Sequence, residues 1–151
     1  MKNIFDQSVT LEIIDRINKL TPGTEHLWGK MSVAQMLAHC NVSYELVYEE
    51  DKHPKPNAFL KFLIKLMAKR TVVGETAYKQ SLRTAPAFII TDDKNFEAEK
   101  TRLINFITKT QQLGEAYFDG KESHSFGVLN KTEWNNMFYK HIDHHLRQFG
   151  V

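Results

Sequence analysis

Two histidines one helical turn apart, His141 and His145, are the residues of this 151-residue chain whose type and spacing most directly suggest chemistry. They lie in the stretch Asn130 to Gly150, NKTEWNNMFYKHIDHHLRQFG. Laid on a helix at about 100° per residue, this stretch puts Trp134, Met137, Phe138, Ile142 and Phe149 on one side, the side that should face a core. His141 and His145 fall within about 40° of each other inside that apolar stripe. His144 sits at its edge, and Lys140, Asp143 and Arg147 form the opposite face, expected to lie in water. A buried ring nitrogen without a partner costs about 1 to 3 kcal/mol, and a divalent metal supplies a partner to both rings at once. Residues four apart on a helix are about 5 to 6 Å apart at Cβ, close enough for two ring nitrogens to reach one ion at about 2.0 to 2.1 Å. Taken alone, such a pair is more often two core histidines bonded to carbonyls or to a neighbouring Tyr or Glu. A third histidine elsewhere is what raises the metal reading.

The elements that must position these residues read as helices. Ser8 to Leu20 carries Val9, Leu11, Ile13, Ile14, Ile17 and Leu20 at helical spacing and stops at Thr21-Pro22-Gly23. After a loop holding His26 and Trp28, Ser32 with Gln35 forms a capping box that starts a second helix, about Ser32 to Glu49. Val33, Met36, Leu37, Cys40, Tyr44 and Val47 make its apolar face, with His39 on the flank, able to point toward a neighbouring helix. Cys40 lies nearer the centre of that face and reads as a small core residue rather than a ligand or nucleophile. The segment Asp51 to Pro56, with two prolines, breaks the chain. Asn57 to Arg70 follows as an amphipathic helix with Phe59, Leu60, Phe62, Leu63, Leu66 and Met67 on one side and Lys61, Lys65 and Lys69 on the other. It reads as an ordinary bundle or dimer helix ahead of a membrane-surface one.

Thr71 to Thr91 reads as a long crossover with a short helix near Ala77 to Ser81, and Lys79 and Arg83 read as surface charges ahead of contacts to an anionic substrate. Asp92 or Asp93 should cap the next helix, which carries Phe96, Leu103, Phe106, Ile107 and Thr110 inward and ends at Gly114. A turn-rich loop with His124 leads to Asn130 and Glu133, a second capping box that launches the terminal helix. With no strand-like alternation of any length, the expected fold is all-α: a four-helix bundle with a long crossover and an extra short helix, in one domain over residues 1–151.

Composition narrows the function classes. Hydrophobic residues are 42% and charged residues 25% of the chain, as in an ordinary globular protein that can bury a sizeable core. A net charge of +2 leaves no electrostatic footprint for nucleic acid. The single cysteine excludes an intramolecular disulfide and fits a reducing compartment. The N-terminus has no basic stretch followed by an apolar run, and no segment approaches the roughly 20 apolar residues of a membrane span, so the cytoplasm is the expected location.

Two stretches carry a resemblance to a known family: Leu27-Trp-Gly-Lys-Met-Ser-Val-Ala-Gln-Met-Leu-Ala-His-Cys40, and His124-Ser-Phe-Gly-Val-Leu-Asn-Lys-Thr-Glu-Trp134 leading into His141-Ile-Asp-His-His-Leu-Arg-Gln-Phe-Gly150. Together with Thr84-Ala-Pro-Ala-Phe88, they make essentially the whole chain resemble the DinB/YfiT-like superfamily of metalloenzymes, in a branch catalogued only as a domain of unknown function. Ser125 departs from the proline that this branch would carry there, which bears on the loop and not on the histidines. The resemblance implies a metal site in which His39 of the second helix joins His141 and His145 of the last.

Three neutral imidazoles leave at least one coordination position open, as in a catalytic rather than a structural site. Zinc, nickel, copper and iron all accept imidazole, with zinc or nickel the leading expectation. A metal there can lower the pKa of water to near 7 for hydrolysis, or take a thiolate, since the resemblance implies relatives that use low-molecular-weight thiols. Gln148 is a candidate to orient His145, His144 and His124 are candidates for proton transfer, and Tyr44, Trp28 and Trp134 are candidates to line a pocket. The expected function is a hydrolase or thiol transferase acting on a small molecule, in a protein able to form a homodimer. The competing reading is a non-catalytic binding or stress-response module whose histidines are structural.

Overall fold

The computed structural model describes residues 1–151 and is mostly helical. In chain order the elements are α1 (Gln7–Asn18), α2 (Val33–Tyr48), α3 (Ala58–Val73), α4 (Phe96–Phe118), a hairpin of β1 (Glu122–Ser123) and β2 (Gly127–Val128), and α5 (Lys131–Gln148). Short 3-10 turns cover Glu50–Lys52 and Pro86–Phe88. The two expected capping boxes are present: the Ser32 hydroxyl accepts from the Gln35 N–H at the start of α2, and Asn130 accepts from the Glu133 N–H at the start of α5. No helix is long and apolar enough to cross a membrane.

The core forms where α2, α4 and α5 meet, with α1 packed on α4 and α5. Met36, Leu37, Cys40 and Tyr44 of α2 meet Leu103, Phe106 and Ile107 of α4 and Trp134, Phe138, Ile142 and Leu146 of α5. The Tyr44 ring stacks between Phe138, 4.9 Å away, and Phe106, 5.7 Å away. From Met36 to Glu45, α2 is buried on every side, polar residues included. Its polar positions therefore pair off by helical face. His39 and Ser43 turn to α5, while Asn41 and Glu45, on the far side, turn to Glu99 and Arg102 of α4.

Four local expectations are corrected. Helix α4 is capped by Asn95, whose side chain accepts from the Ala98 N–H, and not by Asp92 or Asp93. Gly114 kinks α4 instead of ending it. Its backbone takes φ 73° and ψ 168°, open to glycine alone, and the chain then turns helical again to bury Phe118 against Phe5, Trp134 and Phe138. No helix forms over Ala77 to Ser81; that part of the crossover is irregular. On α3 the apolar side is not packed into a core: Phe59, Phe62, Leu66 and Met67 are all exposed.

Candidate metal centre

His39 of α2 and His141 and His145 of α5 come together, each offering one ligand nitrogen, with these atoms all within 4.8 Å of one another. Their ring centroids lie 4.5 to 4.9 Å apart. His39 and His145 are buried and His141 partly so. The three can hold a metal ion, and the hydrogen bonds around them test how well the donor set suits one.

The outer nitrogens decide the tautomers. His39 Nδ1 lies 2.8 Å from the Phe88 carbonyl oxygen, which only accepts, so Nδ1 carries the proton and Nε2 keeps its lone pair. The side chain of Gln148 donates through Nε2 to the Trp28 carbonyl oxygen at 2.7 Å. That leaves its Oε1 facing His145 Nδ1 at 2.8 Å, so this nitrogen also carries the proton and Nε2 of His145 is free. Gly29 makes room for this contact: at φ +94° it holds a conformation that favours glycine, and a Cβ there would run into Gln148 Nε2. His141 Nδ1 is 2.8 Å from the Ser43 hydroxyl, which serves either as donor or as acceptor. Each ring is thus fixed from behind by a hydrogen bond, the arrangement that orients metal-ligating histidines.

Across the centre, His39 Nε2 and His141 Nε2 are 3.0 Å apart. Two nitrogens bound to one ion at about 2.0 to 2.1 Å lie roughly 2.9 to 3.4 Å from each other at coordination angles between 90° and tetrahedral. The spacing therefore fits a shared cation, and it equally fits a direct hydrogen bond if His141 carries its proton on Nε2. Electrostatics favours ligands without charge. Burial lowers the pKa of all three histidines: His145 falls to about 3 and His141 well below the ordinary imidazole value, its two partner rings adding to the effect. Neutral imidazoles are the form that binds a metal.

The other sequence candidates separate. His144 flanks the triad, its ring 5.1 Å from that of His145 and edge-on to Trp28 and Tyr78. His124 does not join it; its ring bonds to Ser125 and to the His53 carbonyl oxygen. Trp28 lines a cleft beside His144, whereas Tyr44 and Trp134 are fully enclosed core residues. Cys40 is likewise enclosed, and burial pushes its thiol far above the usual range. Lys79 and Arg83 are exposed.

Lys140 overturns an expectation outright. Read as part of a wet face, it is buried, and its ammonium donates to the carbonyl oxygens of Thr71 (2.7 Å), Gly74 and Thr76 (3.2 Å). One turn earlier on α5, Asn136 Nδ2 donates to the Val73 carbonyl oxygen at 2.9 Å. Together they satisfy carbonyls at and beyond the end of α3 that the helix leaves unpaired. Lys140 also lies 4.6 Å from the centre of the Tyr78 ring, so the start of the crossover is pinned beside the histidines. Ser43 has a signal in the sequence, its place one turn after His39 on the same face; the Phe88 carbonyl and the Lys140 clamp have none.

Residues 5–150 match the family described as a protein of unknown function (DUF1569), and the chain belongs to that family. No curated protein and no solved structure matches it.

Proposed function

We propose that this member of the DUF1569 family is a metal-dependent enzyme whose metal is held by His39, His141 and His145. The observation that carries the reading is the convergence of three ring nitrogens, two of them left with free lone pairs by the Phe88 carbonyl and the Gln148 side chain. A structural zinc site uses four protein ligands, so three point to a site with an open position. A divalent metal, zinc or nickel first, supplies Lewis acidity there. The reaction class is hydrolysis or transfer of a low-molecular-weight thiol on a small molecule. His144, beside the triad and partly buried, is the imidazole placed to move a proton.

The helical make-up and the meeting of α1, α2, α4 and α5 support a four-helix bundle of the DinB/YfiT-like type, as one domain over residues 1–151 in the cytoplasm. A homodimer through α3 belongs to the same reading. The exposed Phe59, Phe62, Leu66 and Met67 give it an apolar surface, and a net charge of +2 gives little repulsion between copies. Two lysines of α3 are tied to Glu122 and Glu133, which weakens the alternative of an anionic membrane.

The second reading, a non-catalytic binding or stress-response module, is favoured by one observation: Ser43 can donate to His141 Nδ1 and His141 Nε2 can then donate to His39, which satisfies the pair without a metal. Assaying ester and amide hydrolysis and thiol transfer on zinc- and nickel-loaded protein separates the two. The enzyme reading expects turnover that requires metal and vanishes in His141→Ala while the helical circular-dichroism signal survives. Turnover that is indifferent to metal and to this substitution contradicts it.

A further inference from the structure

A cleft of about 340 Å³ opens beside the triad, lined by Trp28, Tyr78, Gln80, His144 and Arg147. Its volume is at the lower end of small-molecule sites. Three features define what it can hold. The first is shape. Trp28 and Tyr78 stand edge-on to the His144 ring, at 6.0 and 5.6 Å between centroids, so two aromatic side chains bracket a polar one. Both brackets are anchored: the Trp28 carbonyl accepts from Gln148, and the Tyr78 ring packs over Lys140.

The second is charge. None of the lining residues is acidic, and Arg147 is the one cation among them. Its single ion pair, to Asp143 Oδ2 at 3.6 Å, is longer than a hydrogen bond, while the other oxygen of Asp143 is held by Arg16 at 2.8 Å. The Arg147 side chain is 64% exposed, and its guanidinium donors make no hydrogen bond within the chain. The third is the backbone field. His144 and Arg147 occupy the C-terminal turns of α5, where the helix dipole is negative, so the field opposes any anion there and a doubly charged phosphate about twice as strongly as a single negative charge, which the Arg147 guanidinium must outweigh. A guanidinium matches a carboxylate by two parallel hydrogen bonds.

We propose that this cleft recognises a small monocarboxylate with a planar apolar body, the carboxylate on Arg147 and the body against the aromatic wall that Trp28 and Tyr78 contribute. The proposal rests on the metal-dependent reading only for the link to the triad: the ring of His144, which lines the cleft, lies 5.1 Å from that of His145.

The test uses benzoate and its neutral isostere benzamide as probes, titrated into full-length protein without metal and with zinc. Binding is followed by the indole N–H resonance of Trp28, identified through Trp28→Phe, with Trp134 as the internal control. Benzoate is expected to shift the Trp28 signal saturably with a Kd at least about tenfold below that of benzamide, and Arg147→Gln is expected to remove this preference without altering the Trp134 signal. Equal binding of the two probes, no binding of benzoate, or a preference that survives in Arg147→Gln overturns the proposal. If zinc fails to bind yet the benzoate preference holds, the cleft stands and the metalloenzyme reading falls. If zinc binds and the preference is missing, the cleft falls alone.

Discussion

Burial acts on the triad as a selection for uncharged rings, and that has a measurable cost in acid. His145 titrates at about 3 in the folded protein against 6.5 for the free side chain, and His39 and His141 are shifted in the same direction. Below about pH 6.5 the unfolded chain therefore binds protons that the folded chain refuses. The stability held by the neutral rings is complete above that pH and is lost as pH falls toward the folded values. Thermal midpoints of the metal-free protein should fall only slightly from about pH 8 to 7 and drop more steeply below about 6.5, and His145→Asn should shallow that drop. At the same scale, Gln148 holds the His145 tautomer, so Gln148→Ala is expected to weaken zinc binding about 10- to 100-fold by calorimetry while one ion per chain still binds at saturation. Gly29→Ala, which would drive a methyl group into Gln148, is expected to weaken zinc binding in the same direction.

Among the elements, α5 supplies two of the three triad histidines, and its sequence reveals only part of what it does. Its capping box, its apolar stripe and the inward turn of His141 and His145 all follow from 3.6-residue periodicity. Lys140 does not, because a helical wheel assigns a lysine to water and cannot see that carbonyls of another segment close over it. Removing the ammonium by Lys140→Met would leave three carbonyls without their donor and should cost about 1 to 3 kcal/mol in urea unfolding. Helix α4 teaches a similar lesson. A glycine after an apolar run reads as a stop, but the enclosed packing of Phe118 restarts the helix beyond Gly114. No neighbouring atom would touch a Cβ at Gly114, so Gly114→Ala should destabilise through backbone strain alone, by about 1 to 3 kcal/mol. On α3 the apolar periodicity was readable, but periodicity does not say which surface covers it.

The whole molecule shows what sequence pattern can and cannot supply. The helical class and the positions of the five long helices came from local rules, although the short helix expected near Ala77 to Ser81 does not form, and the triad came from a pair readable on one helix plus a third member, His39, that only the family resemblance supplied. The hydrogen bonds that prepare the site come from distant segments: Phe88 lies 49 residues from His39, and Trp28 lies 120 from Gln148. No spacing rule reaches that far. At this scale the exposed row on α3 predicts self-association. Wild type should sediment as a dimer at micromolar concentration, and Leu66→Glu as a monomer with an unchanged helical spectrum. A monomeric wild type would leave that row without the partner assigned to it.

Whether His39, His141 and His145 share one metal ion is decided by elemental mass spectrometry on untagged protein, wild type beside His141→Ala. About one zinc or nickel per chain in the wild type and none in the variant is the predicted result. No metal in either, even after incubation with zinc or nickel, would contradict it and make the three rings a hydrogen-bonded part of the core.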